Sequence, residues 1–157
     1  MLYARYVLDD CRFVLELLDE ERDRQRFRVF WVAACALLRT VGHVLIKVDA
    51  EEDDDTARAI DRAWKRWNDE RDANNIFWDF IEEERNIVVK EYKSRYGEGM
   101  TGILFENPSS GEVMVESLAE EIYKPMLYGP FASCDCRELV REGIEWWQRE
   151  LDIIERR

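Results

Sequence analysis

The side chains best suited to chemistry lie in one stretch, Phe77 to Tyr96, FWDFIEEERNIVVKEYKSRY. Arg85 and Asn86 are adjacent there, Lys90 follows Asn86 by four residues, and Tyr92 follows Arg85 by seven. On a helix these spacings put Asn86 beside Lys90 and Arg85 two turns from Tyr92. A guanidinium stabilises charge that builds up on a phosphate, and an amide orients it. A lysine is a poor general base unless burial lowers its pKa, and a tyrosine titrates too high without help. The same four residues serve equally well as a structural network tying helices together, so chemistry alone leaves both readings open.

The helix predicted for this stretch places Ile81, Arg85, Val88 and Tyr92 on one stripe, with Phe77, Phe80, Glu84 and Ile87 or Val88 on the next. Arg85 is thus expected to face a helix interface, where a buried guanidinium needs a partner, a ligand or a dimer mate. Asn74 is the expected N-cap and Gly97 the residue past the end, with Lys93 and Arg95 in the last turn.

Three more helices are predicted before it. The first runs from about Leu2 to Arg24 and buries Val7, Cys11, Val14 and Leu18. The second, near Arg26 to Val48, is apolar nearly all round and is expected to be central or covered by a second subunit. Its one polar file is Arg39, His43 and Lys47, which either forms a wet edge or faces Arg85 and completes a pocket. Asp49 to Asp55, DAEEDDD, reads as a solvated linker that also places negative charge at the next helix N-terminus. It lacks the glycine and glutamate of a calcium loop. The third helix, about Asp55 to Asp72, carries Trp64 and Trp67, which read as core, since nothing basic surrounds them as a base-stacking row requires.

From Gly97 to Tyr128 the helical pattern fails. Ile103–Phe105 and Val113–Val115 flank a loop around Pro108 and Gly111, as in a β-hairpin, and a helical turn or two is expected at Leu118 to Tyr123. A last helix starts near Asp135, with Glu138 completing a capping box. The expected fold class is all-α, an up-and-down bundle of about five helices in one domain over 1–157, with an irregular or β-hairpin insert near 97–130.

Composition narrows the function classes. The 157 residues carry a formal net charge of −12, which disfavours RNA or nucleotide binding except at a focused local site. No signal-peptide pattern opens the chain, so the cysteines Cys11, Cys35, Cys134 and Cys136 are expected to be reduced and the protein cytoplasmic. Cys134 and Cys136 lack a second pair at zinc spacing, and neither metal nor cofactor is expected. The longest unbroken apolar run, Val29 to Leu38, falls short of the about 20 residues a bilayer span needs.

The segment ERNIVVKEY, with the aromatic run FWDFIEEE overlapping its start, resembles the signature of the HEPN family, in which an arginine and usually an asparagine precede a histidine on one helix. The second helix, FWVAACALLRTVGHVL, is similar to its counterpart in a prokaryotic HEPN-like branch. The likeness spans about Phe27 to Tyr92. It implies a helical bundle, often dimeric, whose motif residues meet at the subunit interface. Many members are metal-independent RNA endonucleases, several of them toxins held by a partner antitoxin. By that resemblance Arg85 would contact the scissile phosphate and Asn86 would position it. The histidine position falls on Lys90, which is a departure from the motif, and the only histidine, His43, lies on another helix. The resemblance therefore points first to a non-catalytic dimeric module with an Arg85-centred pocket lined by Arg39, His43 and Tyr92, taking a phosphate-bearing ligand or a partner protein. An RNA endonuclease using Arg85, Asn86 and Lys90, and a purely structural partner protein, are the other two readings.

Overall fold

The computed structural model describes the backbone of residues 1–97 and 99–156, and the side chains of these outside 99–105 and 115–122. The chain is mostly helical: α1 (Ala4–Glu20), α2 (Arg24–Lys47), α3 (Asp54–Asp69), α4 (Glu83–Glu91) and α5 (Cys136–Arg156). Two compact units are present, one of residues 1–94 with 137–157 and one of residues 95–136.

In the helical unit α1 and α2 form a hairpin joined by residues 21–23. Its open end is closed by the acidic run. Asp49, 1% exposed, accepts hydrogen bonds from the backbone N–H of Tyr3 (2.6 Å) and Ala4 (3.0 Å). These are amides that a helix N-terminus leaves unsatisfied. Asp53 caps α3 in the ordinary way, accepting from Thr56 N–H at 2.8 Å. The solvated-linker expectation therefore needs correction at Asp49, which a free helix N-terminus draws in, whereas Asp53 is exposed and serves the next helix N-terminus as expected.

Helix α2 touches α1, α3, α4 and the segment before α4, which makes it the central element. Phe27, Trp31, Ala34, Cys35, Leu38, Val41 and Leu45 supply its buried side. With the turn after it, Arg24–Glu51, it is long and apolar enough to cross a membrane by length and composition, with a mean hydropathy of 1.9 and 39% of that window buried. The unbroken run Val29 to Leu38 understates this, because the apolar residues resume after Arg39 and His43.

Aromatic rings fill the space between α2, α3, the segment before α4, and α5. Trp67 lies 5.0 Å from Trp146 and 5.8 Å from Phe77, while Phe77 stacks on Trp146 at 5.1 Å. Three of the indole N–H groups have built-in acceptors: Trp67 donates to Glu150 (2.6 Å), Trp146 to Asn74 (3.0 Å) and Trp147 to the Leu38 carbonyl (2.8 Å). Trp67 is core, and Trp64 is half-buried against Trp67, Phe77 and Trp78.

The central stretch departs from the expected single helix. Ile76–Glu82 is a π-helix of seven residues, followed by only nine residues of α4. A π turn holds more residues than an α turn, so the faces downstream rotate relative to a 3.6-residue reading. The buried residues become Ile76, Phe77, Phe80, Ile81, Glu84 and Val88. The fully buried charge is Glu84, and Arg85 is half-buried beside it. The helix stops at Tyr92, whose φ of 51° is left-handed, and not at Gly97. Lys90 therefore stands in the last turn where Lys93 and Arg95 were expected.

The smaller unit is built on an antiparallel hairpin, β1 (Gly99–Glu106) with β2 (Val113–Tyr123), whose register shifts between Met100 and Gly102. Residues 118–123 continue β2, which corrects the helical turn expected there. The segment 124–127 organises the rest. Leu127 N–H donates to Arg95 O (2.7 Å), Met126 N–H to Cys134 O (2.8 Å), and Lys124 O accepts from Cys136 N–H (2.8 Å). Both ends of the unit thus lie along one short strand-like segment.

Candidate anion site between the second and fourth helices

The polar file of α2 and the arginine of α4 come together. Arg39, 15% exposed at its side chain, lies with its guanidinium carbon 5.6 Å from the Phe77 ring centre, a cation–π contact. Its Nη2 stands 3.9 Å from Glu82 Oε2, an ion pair beyond hydrogen-bonding range. Its Nη1 is buried and makes no hydrogen bond. Gly42 makes room for it: a Cβ there would stand 3.1 Å from Arg39 Nη1 and 3.1 Å from the Trp147 ring.

Arg85 donates from Nη1 to the Asn86 amide oxygen at 3.0 Å. Among the described residues it has no carboxylate partner. Its charge reaches both groups on α2. Burial first, then the charges of Arg39, Arg85 and Lys47, hold His43 below the usual histidine value. Burial also lowers Arg39, Glu82 opposes that, and Arg85 adds to it. At neutral pH His43 is consequently an uncharged imidazole within a group of three cations, able to accept a proton when negative charge arrives.

Of the residues singled out from sequence, Arg39, His43 and Arg85 share this locus, with Asn86 orienting Arg85. Lys90 is exposed, and Tyr92 is 63% exposed at the left-handed residue ending α4, which breaks its two-turn register with Arg85. Two further charged residues bear on this locus. Lys47 was legible as the end of the Arg39 file. Glu82 was legible only as an acid near Arg85, and the π-helix aims it at Arg39.

Burial pushes the Cys11 thiol up to about 12, away from thiolate reactivity. Among the described residues no group of three or more His, Cys, Asp or Glu side chains could hold a metal ion. Comparison of the chain with known protein families, curated proteins and solved structures finds no match.

Proposed function

We propose that this protein is a non-catalytic, cytoplasmic binding module of HEPN-like topology, working as a homodimer, whose polar pocket around Arg85 takes a phosphate-bearing ligand or an acidic group of a partner protein. The observation that carries this reading is the convergence of Arg39, Lys47 and Arg85 on His43 in a chain of net charge −12. Like charges repel, and an acidic chain has carboxylates to spare, yet Arg85 keeps only an amide partner among the described residues. An arrangement that leaves cations under-paired is suited to an incoming anion. The dimer is proposed through α2 and α4, where Val29, Ile46 and Val89 are exposed apolar residues.

Calorimetric titration with inorganic pyrophosphate at low ionic strength tests the pocket. Saturable binding is expected for the native chain and its loss in the Arg39→Gln/Arg85→Gln variant. An absence of binding at millimolar pyrophosphate would remove this reading. Sedimentation at several concentrations tests the dimer, and a monomer throughout would overturn that part.

One observation favours a second reading, a metal-independent RNA endonuclease of the toxin type restrained by an antitoxin. His43 feels the charge of Arg85, so an imidazole that is neutral at pH 7 shares the locus with the motif arginine, although Lys90 holds the motif's histidine position. RNA cleavage that persists in chelator and disappears in both Arg85→Ala and His43→Ala would establish it. Intact RNA at high protein concentration would exclude it.

A further inference from the structure

Helix α2 carries more apolar surface than its own chain covers. Its buried side includes Phe27, Trp31, Ala34, Leu38, Val41 and Leu45, spaced by three and four. The opposite line, Val29, Ala33, Ala36, Thr40, His43 and Lys47, repeats at the same spacings. Val29, His43 and Lys47 on that line are exposed, and Ala33, Ala36 and Thr40 are half-buried. From Val29 to Thr40 the line holds no charge, and Val32, Leu37 and Val44 beside it are half-buried too. Only 39% of the most apolar stretch of this helix is buried. A continuous uncovered apolar face marks a surface that another molecule covers.

The charges lie at the two ends of that face, and they differ in sign. Residues 22–28 hold the exposed arginines Arg22, Arg24, Arg26 and Arg28 against one exposed acid, Asp23. Residues 51–55 hold five exposed acids and no base. The helix and the turn after it form one helical run, Arg24–Glu51. At 1.5 Å per residue, Arg24 stands about 18 Å before Ala36 and Glu51 about 22 Å after it.

We infer that this face of α2 docks on the same face of a second copy, the two helices running antiparallel with Ala36 at the two-fold axis. This rests on the homodimer proposed above and names the surface that forms it and its direction. An interface between two copies related by a two-fold axis must be complementary to itself. The antiparallel pair meets that condition at both ends, because the arginines of 22–28 in each chain come level with the acids of 51–55 in the other. A parallel pair sets arginine against arginine and acid against acid. In the middle, Ala33 and Ala36 let the two helices approach closely. Val29 of one copy comes level with His43 of the other, each seven residues from Ala36. A different partner would need an acidic end, an apolar middle and a basic end at matching distances, which a second copy supplies by rotation alone.

Cysteine cross-linking reads the direction, in a Cys134→Ser background that removes the exposed thiol. Ala36→Cys is expected to give a disulfide-linked dimer on mild oxidation. Val29→Cys alone is expected not to, because its two copies stand about 21 Å apart along the axis and a disulfide needs Cα atoms within about 7 Å. An equimolar mixture of Val29→Cys and His43→Cys is expected to cross-link. Charge reversal reads the ends, leaving Arg26, which also pairs with Glu21 of its own chain at 3.0 Å, unchanged. Arg22→Glu/Arg24→Glu and Glu51→Lys/Glu52→Lys should each weaken the homodimer roughly tenfold, and mixing the two variants should restore association as a heterodimer. Raised salt should weaken the native dimer.

A dimer in which Ala36→Cys fails to link, or in which Val29→Cys links to itself, overturns the pairing while leaving the homodimer in place. So does a dimer that raised salt strengthens. A monomer at every concentration in sedimentation ends both. Binding of that monomer to vesicles of phosphatidylcholine and phosphatidylglycerol would then give the face to a lipid surface, and no binding would give it to a different protein.

Discussion

Arg5 shows how single charges act in this fold. Its guanidinium reaches Asp152 (2.5 Å) and Glu155 (2.7 Å) on α5. Hydrogen bonds from Arg5 and Gln148 hold Asp152 below its ordinary 3.8. Burial alone would raise Glu155, but Arg5 and the Leu2 N–H outweigh it and hold it below 4.5. Carboxylates lowered in the folded state stabilise it above their unfolded values and lose that contribution as pH falls through the folded ones. Arg5→Ala should therefore lower the melting temperature at pH 7, and the difference from the native chain should shrink as pH falls below 3.8 and through the lowered folded-state values. A difference that persists in acid would mean Arg5 acts through packing. Glu150 is a second case. It is 7% exposed and accepts from Trp67 Nε1 and Arg66 Nη2. Glu150→Ala should cost about 1–3 kcal/mol in chemical denaturation, because it strands an indole N–H in the aromatic core. Glu150→Gln, which keeps an acceptor, should cost less.

At the scale of elements, helix ends and turn geometry govern the result. Asp49 caps a helix 45 residues before it in the chain, so its effect is felt at α1. Asp49→Ala should cost about 1–2 kcal/mol, with faster amide exchange in the first turn of α1. Faster exchange around residues 49–55 alone would show that the carboxylate serves its own turn. The π-helix has a larger consequence. By rotating the residues after it, Ile76–Glu82 buries Glu84, leaves Arg85 half-buried and turns Glu82 toward Arg39. The chemistry of α4 is thus set by the segment that precedes it.

The whole molecule divides into a helical unit and a smaller one that enters and leaves along the same segment, 124–127. Insertions with adjacent ends are the kind a host tolerates. Replacing residues 95–136 with a short Gly/Ser linker should leave a helical protein with a cooperative melting transition, followed by circular dichroism. Loss of cooperativity would show that the helical unit depends on the smaller one. The aromatic core supports the first outcome, since Trp31, Trp67, Trp147, Phe27, Phe77 and Phe80 all belong to the helical unit.

Periodicity was enough to find the helices, because apolar residues at three and four spacing have one efficient way to be buried. It located α2 as the central element, Trp67 as core, the hairpin near Ile103 and Val115, and the Arg39–His43–Lys47 file. It expected a buried charge at Arg85, whereas Glu84 is the fully buried one and Arg85 is half-buried, because a fixed period of 3.6 carries through a π turn that does not obey it. It missed the left-handed stop at Tyr92 and the reach of Asp49 back to α1 for a related reason: both depend on contacts far apart in the chain or on one residue's backbone angle. The types of the site residues, and the oddity of an arginine beside an apolar stripe, were determined by sequence alone. That Arg85 on one helix acts on Arg39 and His43 of another, and that Glu82 stands 3.9 Å from Arg39, were decided only by tertiary packing, since charges act through distance in space and not along the chain.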